Sequence, residues 1–196
     1  MGIDTSQIVK LRQRTGVGFA DCQRALEHCG GDLERAIIYL REQGALKATK
    51  KTAERTADEG IVATYVHADG RLGAMVEVNC ETDFVARNPE FQQFAHDLAM
   101  QVAAANPQYV RSTDVPAEVV AREREIYLAQ LKGSGKPPAI AEKIVAGKLD
   151  QFYREQCLLQ QPFIKDDQIT IQQLVEEQVV KLGEKVAVKR FVRFQV

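Results

Sequence analysis

The stretch Val78-Asn79-Cys80-Glu81-Thr82-Asp83-Phe84-Val85-Ala86-Arg87-Asn88-Pro89 constrains the fold more than any other part of this chain. It follows the clearest strand pattern in the sequence and precedes a well-marked helix start. Asn88 suits an N-cap, Pro89 the first helical position and Glu90 the positive end of a helix. Upstream, 61–67 and 72–79 read as strands joined by Asp69-Gly70, a two-residue turn signal. That joint sets His67 opposite Leu72, Tyr65 opposite Ala74, Ala63 opposite Val76 and Ile61 opposite Val78, an apolar set that belongs on a core. The other face carries Val62, Thr64, Val66, Gly73, Met75 and Glu77; it is half apolar, more than a solvated face needs, and suits a second contact surface. Between strand and helix stands the tip, Thr82-Asp83-Phe84. Local chemistry leaves two readings of it. Phe84 tucks back as a hydrophobic staple while Asp83 satisfies loop backbone, the commoner arrangement. Alternatively, an apolar ring beside a carboxylate, braced by two regular elements, is pushed into the surface of another protein.

The rest of the chain supplies helices on either side. Residues 1–50 read as three short ones. The first starts near Asp4, Thr5 or Ser6 and stops at Thr15-Gly16-Val17-Gly18; the second spans about Phe19 to Cys29; the third is capped by Asp32 and ends around Gly44. Gly16-Val17-Gly18-Phe19 lacks the lysine and hydroxyl of a phosphate loop. It allows a tight turn and can expose Val17 and Phe19 as a small apolar docking patch, as in ubiquitin-associated-type modules. Residues 45–58 lack an apolar stripe and read as a solvated helix extension or a linker, which places a domain boundary there. After the tip come helices over 88–105, over 116–131 capped by Thr113 or Asp114, and from Pro137-Pro138 to about Gln156; Gly133-Ser134-Gly135 separates the last two. A loop over 158–165, a helix over 170–182 and a terminal strand over 186–196 follow, with a slip in alternation near Arg190 that reads as a bulge. The expected fold is α+β. A three-helix module over 1–55 precedes a core over 56–196, in which a three-stranded antiparallel sheet is covered by helices.

Charge and cysteine usage limit the function. A net charge of -1 argues against a main role in binding nucleic acid, which depends on phosphate neutralisation by Lys and Arg. No apolar run approaches membrane-spanning length and no secretory leader is expected, so the reading is cytoplasmic. The four cysteines form no Cys-x-x-Cys pair, and His28, His67 and His96 form no ligand cluster with them, so no metal and no cofactor are expected. No nucleophile elbow, paired-His motif, dinucleotide fingerprint or Walker sequence appears, which favours a binding role over an enzyme.

The tip in its context, Glu77 to Asn88, closely resembles the signature of bacterial and organellar translation elongation factor Ts. Leu11-Arg12, Thr15-Gly16, Asp21-Cys22, Ala25-Leu26, Gly31-Asp32 and Leu40-Arg41 look like the N-terminal module of that family. Arg55, Ala57 and Glu59-Gly60 resemble the start of its core. Lys143-Ile144, Gly147, Leu149, Leu158-Leu159, Gln161-Pro162-Phe163 and the ending Arg190-Phe191-Val192-Arg193-Phe194 resemble its C-terminal half. The resemblance covers essentially the whole chain and points to the short form, with one core subdomain.

This resemblance implies a guanine nucleotide exchange factor for elongation factor Tu, met in its GDP-bound and nucleotide-free forms. It implies that Thr82, Asp83, Phe84 and Val85 intrude near the magnesium site of that GTPase, with Phe84 as the wedge and Asp83 as the polar contact that positions it. It also implies that the N-terminal module docks on the same GTPase domain, through Leu11, Arg12, Thr15, Gly16, Val17, Gly18 and Phe19. The family often has methionines where Phe19 and Ala20 stand and a lysine at Gln23, so the apolar patch carries the docking here. Some short members carry a cysteine at Val192 that cross-links a dimer. With valine there, a disulfide dimer at that position is excluded and a non-covalent homodimer through the half-apolar sheet face is left. Two rival readings make different demands. A ubiquitin-like adaptor would work through residues 1–50 alone, and an RNA-binding protein would use the basic clusters at Lys47 to Arg55 and Lys189 to Arg193.

Overall fold

A computed structural model of the chain describes residues 4–132 and 137–196, with side chains described outside 44–54. Asp4 starts helix α1 (Thr5–Thr15), its carboxylate accepting the Ser6 amide at 3.1 Å, and Gly16 ends it in the left-handed conformation at φ 69°. Helix α2 spans Phe19–His28. Asp32 opens helix α3 (Leu33–Glu54) by accepting the Arg35 amide at 3.0 Å. Ile8, Leu11, Cys22, Ala25, Leu26 and Ala36 form the buried core of these three helices. The expected end of the third helix at Gly44 is corrected: α3 continues through it to Glu54, so residues after 45 extend the helix. One mid-helix glycine costs only about 1 kcal/mol, which is not enough to stop a helix by itself.

Strand β1 (Glu59–Val66) and strand β2 (Leu72–Cys80) form the expected hairpin. His67 donates its amide to the Leu72 carbonyl at 2.8 Å, as the expected register requires. At the other end, a Cβ on Gly60 would lie 2.2 Å from the Val78 carbonyl oxygen. Ala74, Val76, Val78 and Cys80 are buried, while Val62, Val66 and Met75 stay exposed, so the two faces fall as the pattern implied. The connection is longer than a two-residue turn. Gly70 donates back to the His67 carbonyl and takes the left-handed conformation at φ 68°.

Helix α4 (Asp83–Ala86) is a single turn at the tip, and helix α5 (Pro89–Ala105) follows. Helices α6 (Ala117–Leu131) and α7 (Pro138–Gln156) come next. Gly133-Ser134-Gly135, read as the break between them, lies outside the described residues. Asp114 does not cap α6. It accepts the Arg111 amide at 3.1 Å and closes a 3-10 turn over Ser112–Asp114. The stretch read as a loop after Gln156 holds a 3-10 turn and two short strands, β3 (Pro162–Phe163) and β4 (Asp166–Thr170), paired antiparallel. Helix α8 (Ile171–Leu182) ends at Gly183, φ 75°, and strand β5 (Ala187–Gln195) closes the chain. The three-stranded sheet has the order β1-β2-β5. Val196 donates to the Arg71 carbonyl at 2.9 Å, so β5 runs antiparallel to β2. Val186, just before β5, and Val188 within it are buried, then two exposed residues follow in succession and the inward positions become Phe191 and Arg193, which is the slip expected near Arg190.

The chain folds as two compact units: Met1–Ile61 with Val78–Gln92 and Gln173–Ala187, and Val62–Glu77 with Gln93–Gln172 and Val188–Val196. In the second, Phe94, Ala95, Leu98, Ala99 and Val102 are the buried stripe of α5. Gln101, fully buried, is satisfied there: its amide donates to Pro162 O and Gln161 Oε1, both at 3.2 Å, and its oxygen accepts Ile164 N at 2.9 Å. The first unit holds the helical module and the tip.

Candidate functional site

The tip is a capped one-turn helix that presents its ring to solvent. Thr82 is its N-cap, extended at φ -130°, with Oγ1 accepting the Val85 amide at 3.4 Å. Ala86 donates to the Thr82 carbonyl and Arg87 to the Asp83 carbonyl, closing the turn. Asn88 then starts α5 as expected, its side-chain oxygen accepting the Glu90 amide at 2.8 Å. Ala86 and Phe91 are buried and fix the underside. Phe84, two residues before Ala86, is 82% exposed, so the staple reading of its ring is overturned. A four-residue helix capped at Thr82 points position 84 away from the buried side, because residues 84 and 86 lie about 200° apart around a helix. Asp83 faces Arg87 in an i,i+4 ion pair at 3.1 Å.

The base beneath this turn is polar and densely bonded. The Glu184 carboxylate accepts the backbone amides of Glu81 at 3.2 Å and Thr82 at 3.1 Å, and the Thr82 hydroxyl at 2.7 Å. In return the Glu81 carboxylate accepts the backbone amide of Lys185 and pairs with Arg55 at 3.1 Å. Lys185 Nζ donates to the Arg55 carbonyl at 2.6 Å. Cys80 Sγ donates to the Thr82 carbonyl at 3.1 Å. Burial, followed by the nearby Glu184 charge, pushes that thiol above its ordinary value, so it stays a neutral donor. Glu184 and Lys185 carried no signal in the sequence. A carboxylate one residue past a helix-ending glycine looks solvated until the fold brings it to Thr82.

The docking residues lie on the α1–α2 turn of the same unit. Leu11 is fully buried in the module core, so it shapes the turn without reaching its surface. Thr15 Oγ1 donates to the Leu11 carbonyl at 2.8 Å, and Cys22 Sγ donates to the Val17 carbonyl at 3.5 Å, which ties the turn from both sides. Val17 is half-buried against the module core, while Arg12, Gly16, Gly18 and Phe19 are exposed. The aliphatic stem of Lys181 passes close to Gly16: a Cβ there would sit 3.7 Å from Lys181 Cε. Glu90 pairs with the same lysine at 3.2 Å. Among the described residues no group of His, Cys, Asp and Glu is placed to hold a metal ion, and no helix is long and apolar enough to cross a membrane.

The sequence matches a family of translation factors. The family described as Elongation factor TS matches residues 27–196. An elongation factor Ts of Carboxydothermus hydrogenoformans is 54% identical over 193 residues, 98% of this chain and 88% of the relative. Another from Moorella thermoacetica is 52% identical over 194 residues, 99% of this chain and 95% of the relative. A third, from Thermodesulfovibrio yellowstonii, is 53% identical over 196 residues, 100% of this chain and 97% of the relative. Identity at this level over nearly the whole chain makes it a member of the elongation factor Ts family.

Proposed function

We propose that this protein releases GDP from elongation factor Tu by lodging the Phe84 tip beside the magnesium site of the GTPase while the α1–α2 turn holds the two proteins together. As a member of the elongation factor Ts family it is a guanine nucleotide exchange factor of translation elongation. The observation that carries the mechanism is a phenyl ring 82% exposed on a capped, hydrogen-bonded base. Mg²⁺ neutralises the nucleotide phosphates and ties them to their protein, so a wedge that displaces the groups ordering the ion weakens nucleotide binding. The chain supplies bulk and anchoring and performs no covalent chemistry. Docking through Arg12, Phe19 and the Thr15-to-Gly18 turn engages both the GDP-bound and the nucleotide-free GTPase. The tip engages fully only once the nucleotide site has opened. Residues 1–55 are thus the docking module and 56–196 the domain that carries the wedge. The setting is the cytoplasm, with no direct role for nucleic acid or membrane.

Release of fluorescent GDP from elongation factor Tu at rising concentrations of the chain tests this. Stimulated release that Phe84→Ala removes supports it; no stimulation by the intact chain refutes it. A second partner is a second copy of the chain. Val62, Val66, Met75, Val192 and Phe194 stay exposed on one sheet face, 41 to 68% each, more apolar surface than a strand face turned to water needs. Val192 offers no thiol, so this dimer is non-covalent. Sedimentation that shows concentration-dependent dimers in the intact chain and monomers in Phe194→Lys supports it, and monomers throughout refute it.

A further inference from the structure

We infer that Glu184 is a positioning residue for exchange: its carboxylate locks the Phe84 tip in the projecting conformation. The inference rests on reading the tip as the intruding element, and its tests separate the two. The Glu184 carboxylate takes three donors from two consecutive residues at the root of the tip, at 2.7 to 3.2 Å. One of those donors is the Thr82 hydroxyl. Once the hydroxyl hydrogen is committed to Glu184, the Thr82 oxygen turns its lone pairs toward the Val85 amide, which it caps at 3.4 Å. A relay therefore runs from Glu184 through Thr82 to the residue after Phe84, and each bond polarises the next.

The lock is double. The two stretches exchange carboxylates: Glu184 takes the amides of Glu81 and Thr82, and Glu81 takes the amide of Lys185. Arg55 completes the second half by pairing with Glu81 and accepting Lys185 Nζ at its carbonyl. A four-residue helix cannot hold its shape alone, because nucleation costs more than one turn of hydrogen bonds returns. An exposed ring cannot hold it by packing either. Buried Ala86 anchors the underside, and the polar bonds at the root set the direction of the turn; those to a carboxylate are about twice as strong as neutral ones. The chain that carries Glu184 also runs past the docking turn, with the Lys181 stem against Gly16 and its ammonium on Glu90 at the start of α5. One short segment, 181–185, thus braces the wedge and borders the docking turn.

The positioning role predicts a split in kinetic parameters. If docking sets the concentration dependence and the wedge sets the opened state, Glu184→Ala lowers the maximal rate of GDP release about tenfold, because only a fraction of tips now project. The half-saturating concentration stays within about twofold, since the docking turn is untouched. Glu184→Gln, which still accepts the two amides, recovers part of the loss. Thr82→Ser retains the relay and keeps a higher maximal rate than Thr82→Val, which falls with Glu184→Ala. The Glu184→Ala, Thr82→Val double variant is no slower than either alone, because both break one relay. Thermal melts accompany every variant, and if Glu184→Ala melts early, the comparison of Glu184→Gln with Thr82→Ser and Thr82→Val decides alone. A full maximal rate in folded Glu184→Ala, with Phe84→Ala slow, overturns the role of Glu184 and leaves the wedge standing. Additive losses in the double variant overturn the relay. A full rate in Phe84→Ala overturns the reading of the tip itself.

Discussion

Phe84→Ala separates stability from function, and the size of each effect follows from the exposure of the ring. The side chain is 82% exposed, so its removal costs the folded chain no more than about 0.5 kcal/mol. For a chain of this length that is a fall in melting temperature of about 2 °C or less. The effect on exchange has another scale. A phenylalanine side chain buries about 200 Å², so the 82% still free amounts to roughly 160 Å² available to the GTPase. At about 25 cal/mol per Å² this is worth about 4 kcal/mol if all of it is covered. Alanine keeps the Cβ and no interface is fully dry, which leaves about 3 kcal/mol, or roughly a hundredfold in rate. On the proposed mechanism the ring contacts the opened site in preference to the closed one, so the loss falls on the maximal rate more than on the half-saturating concentration. Phe84→Leu keeps most of the apolar area and loses about tenfold or less. Stopped-flow release of fluorescent GDP at saturating chain, alongside thermal melts, reads both scales. A folded Phe84→Ala with an undiminished maximal rate refutes the wedge. A melting temperature lowered by about 10 °C also refutes it, since that would mean the ring packs within its own fold.

Two other perturbations test the hairpin and the helices. Gly60→Ala places a Cβ 2.2 Å from the Val78 carbonyl oxygen at a backbone φ of 149°, so it destabilises by at least about 3 kcal/mol in urea melts. Gly147→Ala, inside α7 with nothing within 4 Å of the new methyl, stabilises by about 0.8 kcal/mol in the same melts. The thiols give a third test. Mass spectrometry after brief alkylation should find Cys29 modified first, because Cys22, Cys80 and Cys157 are fully buried. Burial also raises those three thiols above the ordinary 9.0. The unfolded chain therefore sheds these protons at a lower pH than the folded chain. Their contribution to stability is complete below pH 9 and lost as pH rises through the raised values. Urea midpoints fall on that alkaline side, and Cys157→Ala makes the fall shallower.

Much of the architecture was legible because local chemistry and tertiary packing agree. The alternation over 61–79 set register and faces together, since a slip of one residue would have turned Val76 and Val78 to solvent. Asp4, Asp32 and Asn88 marked helix starts through side chains that do cap amides. The failures share a cause. Gly44 and Asp114 are residues that can end or start a helix, and in both places neighbouring residues decide otherwise. Strands β3 and β4 are too short and too polar to show a period: Asp166-Asp167-Gln168 reads as loop, and only Phe163 anchors the pair in the core.

The site divides the same way. Residues 88–90 announced the start of a helix, which the structure has; the tip read as a loop is instead a helical turn over Asp83–Ala86, capped by Thr82. The direction of Phe84 could not be read locally, because staple and projection use the same residue types. In the structure the root of the turn is bonded to Glu184, about a hundred residues away in sequence. There is a physical reason for that arrangement. A ring held by apolar neighbours would be hidden, and a ring on an unbraced loop would lose its force to disorder whenever it met resistance. A polar brace at the root, with Ala86 buried beneath, leaves the ring bare and the backbone held. Reciprocity then sets a limit on how stiff it should be. Whatever factor the tip takes from nucleotide affinity, the incoming nucleotide takes from the affinity of this chain for the GTPase. A base tight enough to project the ring must still yield the complex to GTP. Two exchanged carboxylates, each worth a few kcal/mol at most, place the tip without contributing contacts of their own to the partner.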